Sequence, residues 1–428
     1  MNDNDIDYFT RKAPELVSGD SAKGRGNRGR AALLDSIRSY RHISINWRLR
    51  TLLAVLIFAL LTTSKVALAA QTPGVYDLIK DFGADPSGDT DSTVAVQSFF
   101  SAVGDGDVGL IPQGIYSITS TIDVYGQAGA RFSGLGPATS GQTIFRWDGA
   151  GGGIVFALNG VETSYFKDFS ITSGAGQIGV CMDTDEIFPI PHISSDNRYD
   201  DISCSGSTIA GFRFSHTNPA NDDMHFLTDV SVQCNGGSGI SVEGHESKFS
   251  LVRNGSFSNC DVGIAIVPFG SLHAWNPRFT NNKIDLHLAD PFDTIALYHP
   301  ISVGSQQLLK MDGESEAPWP VLIENGDFDV SNIPAGTNAI QNLGPGPLIL
   351  KGNNFHSSSV GASSAFAILN ITFGSGGGLS SMGNVYPGGS PFQGNGHLVS
   401  VGDIFNGGVG QTSAPIVTGL ILSARPAQ

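Results

Sequence analysis

Residues Ile79 to Val124 read IKDFGADPSGDTDSTVAVQSFFSAVGDGDVGLIPQGIYSITSTIDV. Ile79–Phe82 has the pattern of a short strand, after which Gly83 frees the backbone to turn. Asp85-Pro86-Ser87-Gly88-Asp89 is turn chemistry: Pro86 fixes φ, Gly88 tolerates positive φ, and the aspartates can accept nearby backbone N–H groups. Thr90 or Asp91 is placed to cap a helix over about residues 91–103. Val96, Phe99, Phe100 and Val103 fall at i, i+3, i+4 and i+7, one apolar stripe, and Gly104 is a natural stop. Strand character resumes at Val108–Ile111 and, after the Pro112-Gln113-Gly114 turn, at Ile115–Thr119.

Several pieces of this stretch carry a resemblance. DFGA (Asp81–Ala84), GD-x-DST (Gly88–Thr93) before the amphipathic helix, IPQGIYSI (Ile111–Ile118) and GLGPATSGQTIF (Gly134–Phe145) resemble the N-terminus of the pectate-lyase-superfamily β-helix proteins. That group includes glycoside-hydrolase-28-like proteins and phage-tailspike-type depolymerases. The resemblance implies an all-β fold, a single-stranded right-handed parallel β-helix whose open N-terminal end is plugged by the capping α-helix. An uncovered end coil would expose apolar core and unpaired backbone groups. The resemblance does not choose a reaction, since lyases, hydrolases, epimerases and non-catalytic binders share it.

The rest of the chain repeats in the manner of a solenoid, with a loose period of roughly 22 to 33 residues from Phe166 onward. Its first strand recurs as FKDFSIT (Phe166), YDDISCS (Tyr199), LTDVSVQ (Leu227), VRNGSFS (Val252) and YHPISVG (Tyr298). Its second recurs as GVCMD (Gly179), GFRFSH (Gly211), GISVEG (Gly239), GIAIVP (Gly263), DLHLAD (Asp285) and LLKMD (Leu308). One solenoid domain over 75–424 follows. A β-sandwich would explain the short strands but neither the paired-strand unit nor the capping helix. Gly 55 against Lys+Arg 24 fits many turns, and 40% hydrophobic content argues against low-complexity disorder.

Residues 1–50 are basic and lack apolar periodicity, so a disordered N-terminal extension is expected there. Thr51–Leu61 is an unbroken apolar run behind Arg48 and Arg50, followed by small residues at Ala67 and Ala69. Residues 51–70 therefore predict a signal peptide cleaved near Ala69, or an uncleaved signal-anchor. The run falls short of the ~20 residues a bilayer span needs. Export to the periplasm or the medium is expected, or membrane attachment through 51–70 if that segment is retained. After Ala70, thirteen Lys/Arg face thirty-three Asp/Glu. Such a surface excludes nucleic acid as a partner, and a polyanionic substrate would need a local basic patch or a bridging cation. Cys181, Cys204, Cys234 and Cys260 permit two disulfides in three possible pairings. Cys234 and Cys260 follow the first strand of consecutive repeats and are the favoured pair, against the alternative of thiols buried in a ladder. Zinc does not fit these spacings.

Period-2 alternation assigns faces on the second strand. Inward columns are Val180 and Met182, Phe212 and Phe214, Ile240 and Val242, Ile264 and Ile266, Leu286 and Leu288, Leu309 and Met311. Outward columns are Cys181 and Asp183, Arg213 and Ser215, Ser241 and Glu243, Ala265 and Val267, His287 and Ala289, Lys310 and Asp312. With coils ~4.8 Å apart, Asp183 and Glu243 would stand about 10 Å apart with the Arg213 guanidinium between them. The bland alternative is a solvated surface salt bridge.

The resemblance implies a sugar chain lying along this strand row, bordered by the loops Asp185–Arg198, His216–His225 and Glu243–Lys248. Asp183, Arg213 and Glu243 are the candidate catalytic residues, and Asp222, Asp223, His245, His287 and Lys310 the candidate substrate-binding residues. A hydrolase needs two carboxylates. A lyase needs a base at the α-carbon of a uronate and a cation for its carboxylate, with Ca²⁺ as a cofactor held by Asp or Glu oxygens. The leading expectation is an exported enzyme that cleaves a polysaccharide, as lyase or hydrolase. The alternatives are a non-catalytic polysaccharide-binding or surface-structural β-helix and a uronate epimerase. Asp222-Asp223, Gly244-His245 and Arg278 are spaced like the DD, GHG and RIK motifs of polygalacturonases. Glu246 stands where a glycine belongs and no lysine follows Arg278, so that activity is not carried over. Trp275 and Tyr298 can stack on a sugar ring or pack against a neighbouring coil.

Overall fold

The computed structural model describes residues 73–136, 142–185, 193–214, 222–244, 247, 250–267, 270–289, 291, 293–313, 319–334, 337–344, 346–357, 370–373, 378–387, 392–394 and 397–406. The expected basic extension (1–50), the signal segment (51–70) and the C-terminal limit at 424 lie outside the described residues. So do His245 and most of the three polar loops.

The chain winds as a right-handed parallel β-helix. One coil is Phe226–Thr228, Ser231–Cys234 and Ser238–Val242, and the next is Ser250–Arg253, Ser256–Ser258 and Val262–Ile266. Each strand pairs in parallel with its counterpart one coil on, so three ladders run the length of the solenoid. The motif read from sequence as one first strand is two, belonging to the first and second ladders, and the second strand is the third ladder. The sharp corner between the first two ladders hides from a hydropathy pattern because it takes only two residues. Its first residue sits in the left-handed region: Asp229, Asn254, Asn276, His299 and Asn325 have φ between 52 and 56°. Asn and Asp adopt that conformation more readily than other residues with a Cβ because their short side chains bond locally. Here they also bond along the corner, with the Asn276 amide donating to Asn254 (3.0 Å) and the Asn254 amide to Asp229 (2.9 Å).

The inward side chains form one continuous core. Rings stack coil on coil, Phe132 on Phe166 (5.1 Å) and Phe166 on Tyr199 (5.7 Å) near one end, and Phe328, Phe355 and Tyr386 toward the other. Buried amides beside the corner close backbone bonds the ladders leave open: Asn353 accepts from Gly326 N–H and donates to the Ile323 carbonyl. All the side chains assigned inward on the third ladder are buried, from Val180 and Met182 to Leu309 and Met311.

At the N-terminus the first strand is Val75–Asp77, not Ile79–Phe82, which is a turn. Asp77 accepts the N–H groups of Ile79 and Lys80 (3.0 and 2.9 Å), and Asp81 accepts that of Asp77 (2.7 Å), so the carboxylates outcompete strand pairing. The next turn is as read: Asp85 binds both the N–H and hydroxyl groups of Ser87 and Thr90. Those hydrogen bonds, Ser87's first, hold its carboxyl well below the usual range. The helix spans Thr93–Ala102 with Ser92, rather than Thr90 or Asp91, at the N-cap. Asp91 still accepts the Thr93 N–H at 2.9 Å. Val96, Phe99, Phe100 and Val103 are fully buried, and Phe100 stacks on Phe132 at 4.4 Å, sealing the first coils.

Two disulfides are present, Cys234–Cys260 and Cys181–Cys204. The second corrects the face given to Cys181. Cys204 lies in register with the core residues Ile171 and Val232, and Cys181 is fully buried against it. Strict alternation fails there because the register of the third ladder shifts as the chain enters it.

Candidate functional site

The outward column of the third ladder is set by register. Asp183 pairs with Arg213, Arg213 with Ser241, Ser241 with Ala265, Ala265 with His287, His287 with Lys310, and Lys310 with Gln341. Residues more than 150 positions apart in the chain thus stand in one file. The file contains two polar clusters. Between Arg213 and His287 lie three coil steps, roughly 14 Å, occupied by small Ser241 and Ala265.

In the first cluster Asp183 and Arg213 form a bidentate pair, Nε to Oδ1 at 2.7 Å and Nη2 to Oδ2 at 2.9 Å. Both side chains are nearly buried, at 5% and 11% exposure. Burial alone would depress the guanidinium's pKa; the bond and charge of Asp183, with the charges of Glu243 and Asp185, raise it above its ordinary value. Glu243, half-buried just past the strand, accepts a hydrogen bond from the Ser241 hydroxyl at 2.6 Å. The guanidinium is therefore the centre of an acidic setting, but the spacing is not the expected one: Ser241, not Glu243, follows Arg213 in the file, and Glu243 stands two residues further along, past the strand end. With both Asp183 oxygens held by Arg213, this carboxylate is poorly suited to donate a proton or attack a sugar.

The second cluster is more open. His287 Nε2 and Asp312 Oδ1 are 2.8 Å apart, and Lys310 Nζ contacts Asp312 Oδ2. His287 and Lys310 side chains are 22% and 31% exposed. Partial burial would raise the Asp312 carboxyl, but Lys310 and His287 together hold it below the usual range. With Nε2–H donated to Asp312, the imidazole lone pair is on Nδ1. Such an arrangement supplies an oriented base beside a cation. Sequence reasoning found His287 and Lys310 but gave Asp312 no role, although it follows Lys310 by two residues and so shares its face.

Asp222 and Asp223 do not stand on this floor. Asp222 is fully buried, accepting from the Thr184 hydroxyl (2.8 Å) and contacting His225 Nε2 (2.6 Å), and the His225 ring stacks on core Phe214 at 4.7 Å. Thr184 is an inward position in register with Phe214, so Asp222 faces the interior. The Asp223 carbonyl accepts the N–H of Asp196, on the side of the first ladder. A hydropathy reading could not see this, because a polar loop can fold inward once a buried histidine and threonine satisfy it. Trp275 and Tyr298 stack on each other at 4.9 Å across neighbouring coils of the first ladder, the packing alternative.

Among the described residues no group of three or more His, Cys, Asp or Glu is arranged to hold a metal ion. Among those residues the third-ladder carboxylates are engaged separately, Asp183 by Arg213, Glu243 by Ser241 and Asp312 by His287 and Lys310, rather than gathered around one point. Among the same residues no helix is long and apolar enough to cross a membrane.

Comparison with family models and with curated protein sequences finds no match. Solved structures do match. A tailspike, gp42 of Acinetobacter phage vb_AbaP_AS12, superposes with a TM-score of 0.54 at 10% identity, covering 83% of this chain and 67% of its own. The catalytic unit of a thermostable GH87 α-1,3-glucanase from Streptomyces thermodiastaticus gives 0.45 at 14% identity, and this chain spans only 64% of its length. The A-module of a mannuronan C-5 epimerase from Azotobacter vinelandii gives 0.41 at 14% identity, over 78% of this chain and 96% of its own. At these identities the likeness concerns the fold, and the fold is the parallel β-helix that the N-terminal motifs implied.

Proposed function

We propose that this is an exported protein acting on an acidic polysaccharide laid along the third-ladder trench, by β-elimination at a uronate. The observation that carries this reading is the His287–Asp312–Lys310 cluster, an oriented imidazole beside an ammonium in the open part of the trench. His287 takes the proton α to the uronate carboxylate, and the C–H electron pair becomes a C4=C5 double bond. The C4–O bond breaks as it forms, and the departing oxygen takes a proton from solvent water. Lys310 offsets the carboxylate charge that develops meanwhile. Asp183, Arg213 and Glu243 form the other end of the trench, where Arg213, positioned by Asp183, receives a further carboxylate. The two disulfides support an oxidising compartment, in keeping with the export expected from residues 51–70.

A second reading, a non-catalytic polysaccharide binder, is favoured by two observations. Asp183 and Arg213 are closed on each other, and Ala265, Val267 and Ala289 interrupt the polar floor. The test is to incubate the full chain with uronate-containing and neutral polysaccharides, with and without Ca²⁺. New ultraviolet absorbance from unsaturated uronates is the expected result. Reducing ends without that absorbance would transfer the chemistry to a hydrolase, and altered uronate configuration without cleavage to an epimerase. Retention on the polysaccharide with no product would leave the binder.

A further inference from the structure

A groove of about 890 Å³ opens on a different face, the outer surface of the first ladder, and the trench chemistry makes no use of it. Arg131, Arg198 and Arg253 line it together with Tyr165, Asp200 and Phe226. Register explains the gathering. Arg131 pairs with Tyr165, Tyr165 with Arg198, Arg198 with Phe226, and Phe226 with Leu251, two residues before Arg253. The arginines therefore recur every second coil, roughly 10 Å apart.

Their lack of an ion pair sets them apart from most of the described cations. Every described lysine, and Arg146 and Arg213, sits in an ion pair with a carboxylate. The described basic residues without one are Arg278 and these three. In a chain of net charge −15, three exposed guanidinium groups with no carboxylate bound to them stand over one groove. Arg198 rests on the Phe226 ring, 5.4 Å from its centre, which limits its motion. The same wall carries Asp196 and Asp200, the latter accepting the Tyr165 hydroxyl at 2.5 Å.

We propose that this groove is a second saccharide-binding site, separate from the trench, which holds an extended acidic glycan by its carboxylate or sulfate groups. Guanidinium groups every second coil need a ligand whose anionic groups are spaced along a chain rather than packed together. Interleaved carboxylates, threonines and a tyrosine hydroxyl suit a ligand that also carries many hydroxyl groups, and Asp196 and Asp200 repel one as densely charged as nucleic acid. The site stands whether or not the trench turns its substrate over.

The test uses the full chain and an R198A/R253A variant, both exposed positions, with folding checked by the far-ultraviolet spectrum and melting temperature. Binding is measured to polygalacturonate, a sulfated galactan and neutral dextran. To separate the two sites, the same measurement is made on H287A/K310A, altered only in the trench. The expected result is a loss of about tenfold or more per arginine removed when R198A/R253A is introduced into H287A/K310A, where the third-ladder site is already disabled and the remaining affinity belongs to the groove. Dextran should bind neither variant, and the wild-type affinity should fall steeply with salt. Hydrogen exchange should slow on ligand addition at 196–200, 226–228 and 251–253. The proposal is overturned by equal binding of H287A/K310A with and without R198A/R253A, or by equal affinity for dextran. It is also overturned by a sedimentation shift showing that the arginines instead hold a second copy of the chain.

Discussion

At the scale of single residues, two buried carboxylates show how the solenoid interior treats charge. Asp285 is fully enclosed, bonded to Ser302 (2.5 Å) and Asn282 (3.1 Å), and burial pushes its carboxyl up to about 7 against those bonds. It is there because the inward register that holds Gly211, Gly239 and Gly263 continues to Asp285. A Cβ at Gly239 would lie 2.6 Å from the Phe257 ring, so this column runs close against the opposite wall. With the folded pKa above the unfolded one, the folded state binds the extra proton, so the contribution of Asp285 to stability is fully present below about pH 4 and is lost as pH rises through 7. Chemical denaturation across pH 4–9 should show that loss, on the order of a few kcal/mol, and Asp285→Asn should flatten it. An unchanged profile in Asp285→Asn would assign the pH dependence to other groups. The Asp183–Arg213 pair behaves differently. Arg213→Ala should cost about 3–5 kcal/mol by leaving Asp183 buried and uncompensated, whereas removing both partners should cost less than the single change. Additive losses in the double-mutant cycle would argue against a coupled pair. Asp183, Arg213, His287 and Lys310 were legible in the sequence because period-2 alternation fixes their face. Asp222, Asp285 and Cys181 were not, because a buried partner or a register shift decides where each points.

At the scale of elements, the N-terminal helix and the coil corners carry the fold. The helix was legible from its apolar stripe, and it ends within two residues of the predicted limits. Phe100→Ala should cost about 3–5 kcal/mol, since the ring packs on Phe132 and Phe156, and should increase end-to-end association measured by light scattering. A monomeric Phe100→Ala protein of normal stability would remove the helix from its role as a seal. The two-residue corners were invisible to hydropathy but written in residue type, as Asp229, Asn254, Asn276 and Asn325. His299, with φ 53°, is the exception. His299→Gly should be tolerated and His299→Val should lower stability by roughly 1–2 kcal/mol, as melting curves of the two variants would show.

At the scale of the whole molecule, stacking converts sequence distance into proximity. Each coil places one outward side chain in the third-ladder file and others on the first-ladder face, and the two disulfides tie neighbouring coils across closed loops of 23 and 26 residues' separation. Reduction should lower stability by about 2–4 kcal/mol per bond in the chain-entropy account, read as a shift in denaturation midpoint with and without reductant. The architecture could be read from the N-terminal motifs and the repeat, but the reaction could not, since it depends on which side chains meet across coils. His287, Asp312 and Lys310 meet there, and the proposed chemistry rests on the imidazole. The most direct test is steady-state turnover of an acidic polysaccharide by His287→Gln beside the wild-type protein. The predicted result is a fall in kcat of about 10²–10⁴-fold with KM little changed, and turnover equal to wild type would contradict the account.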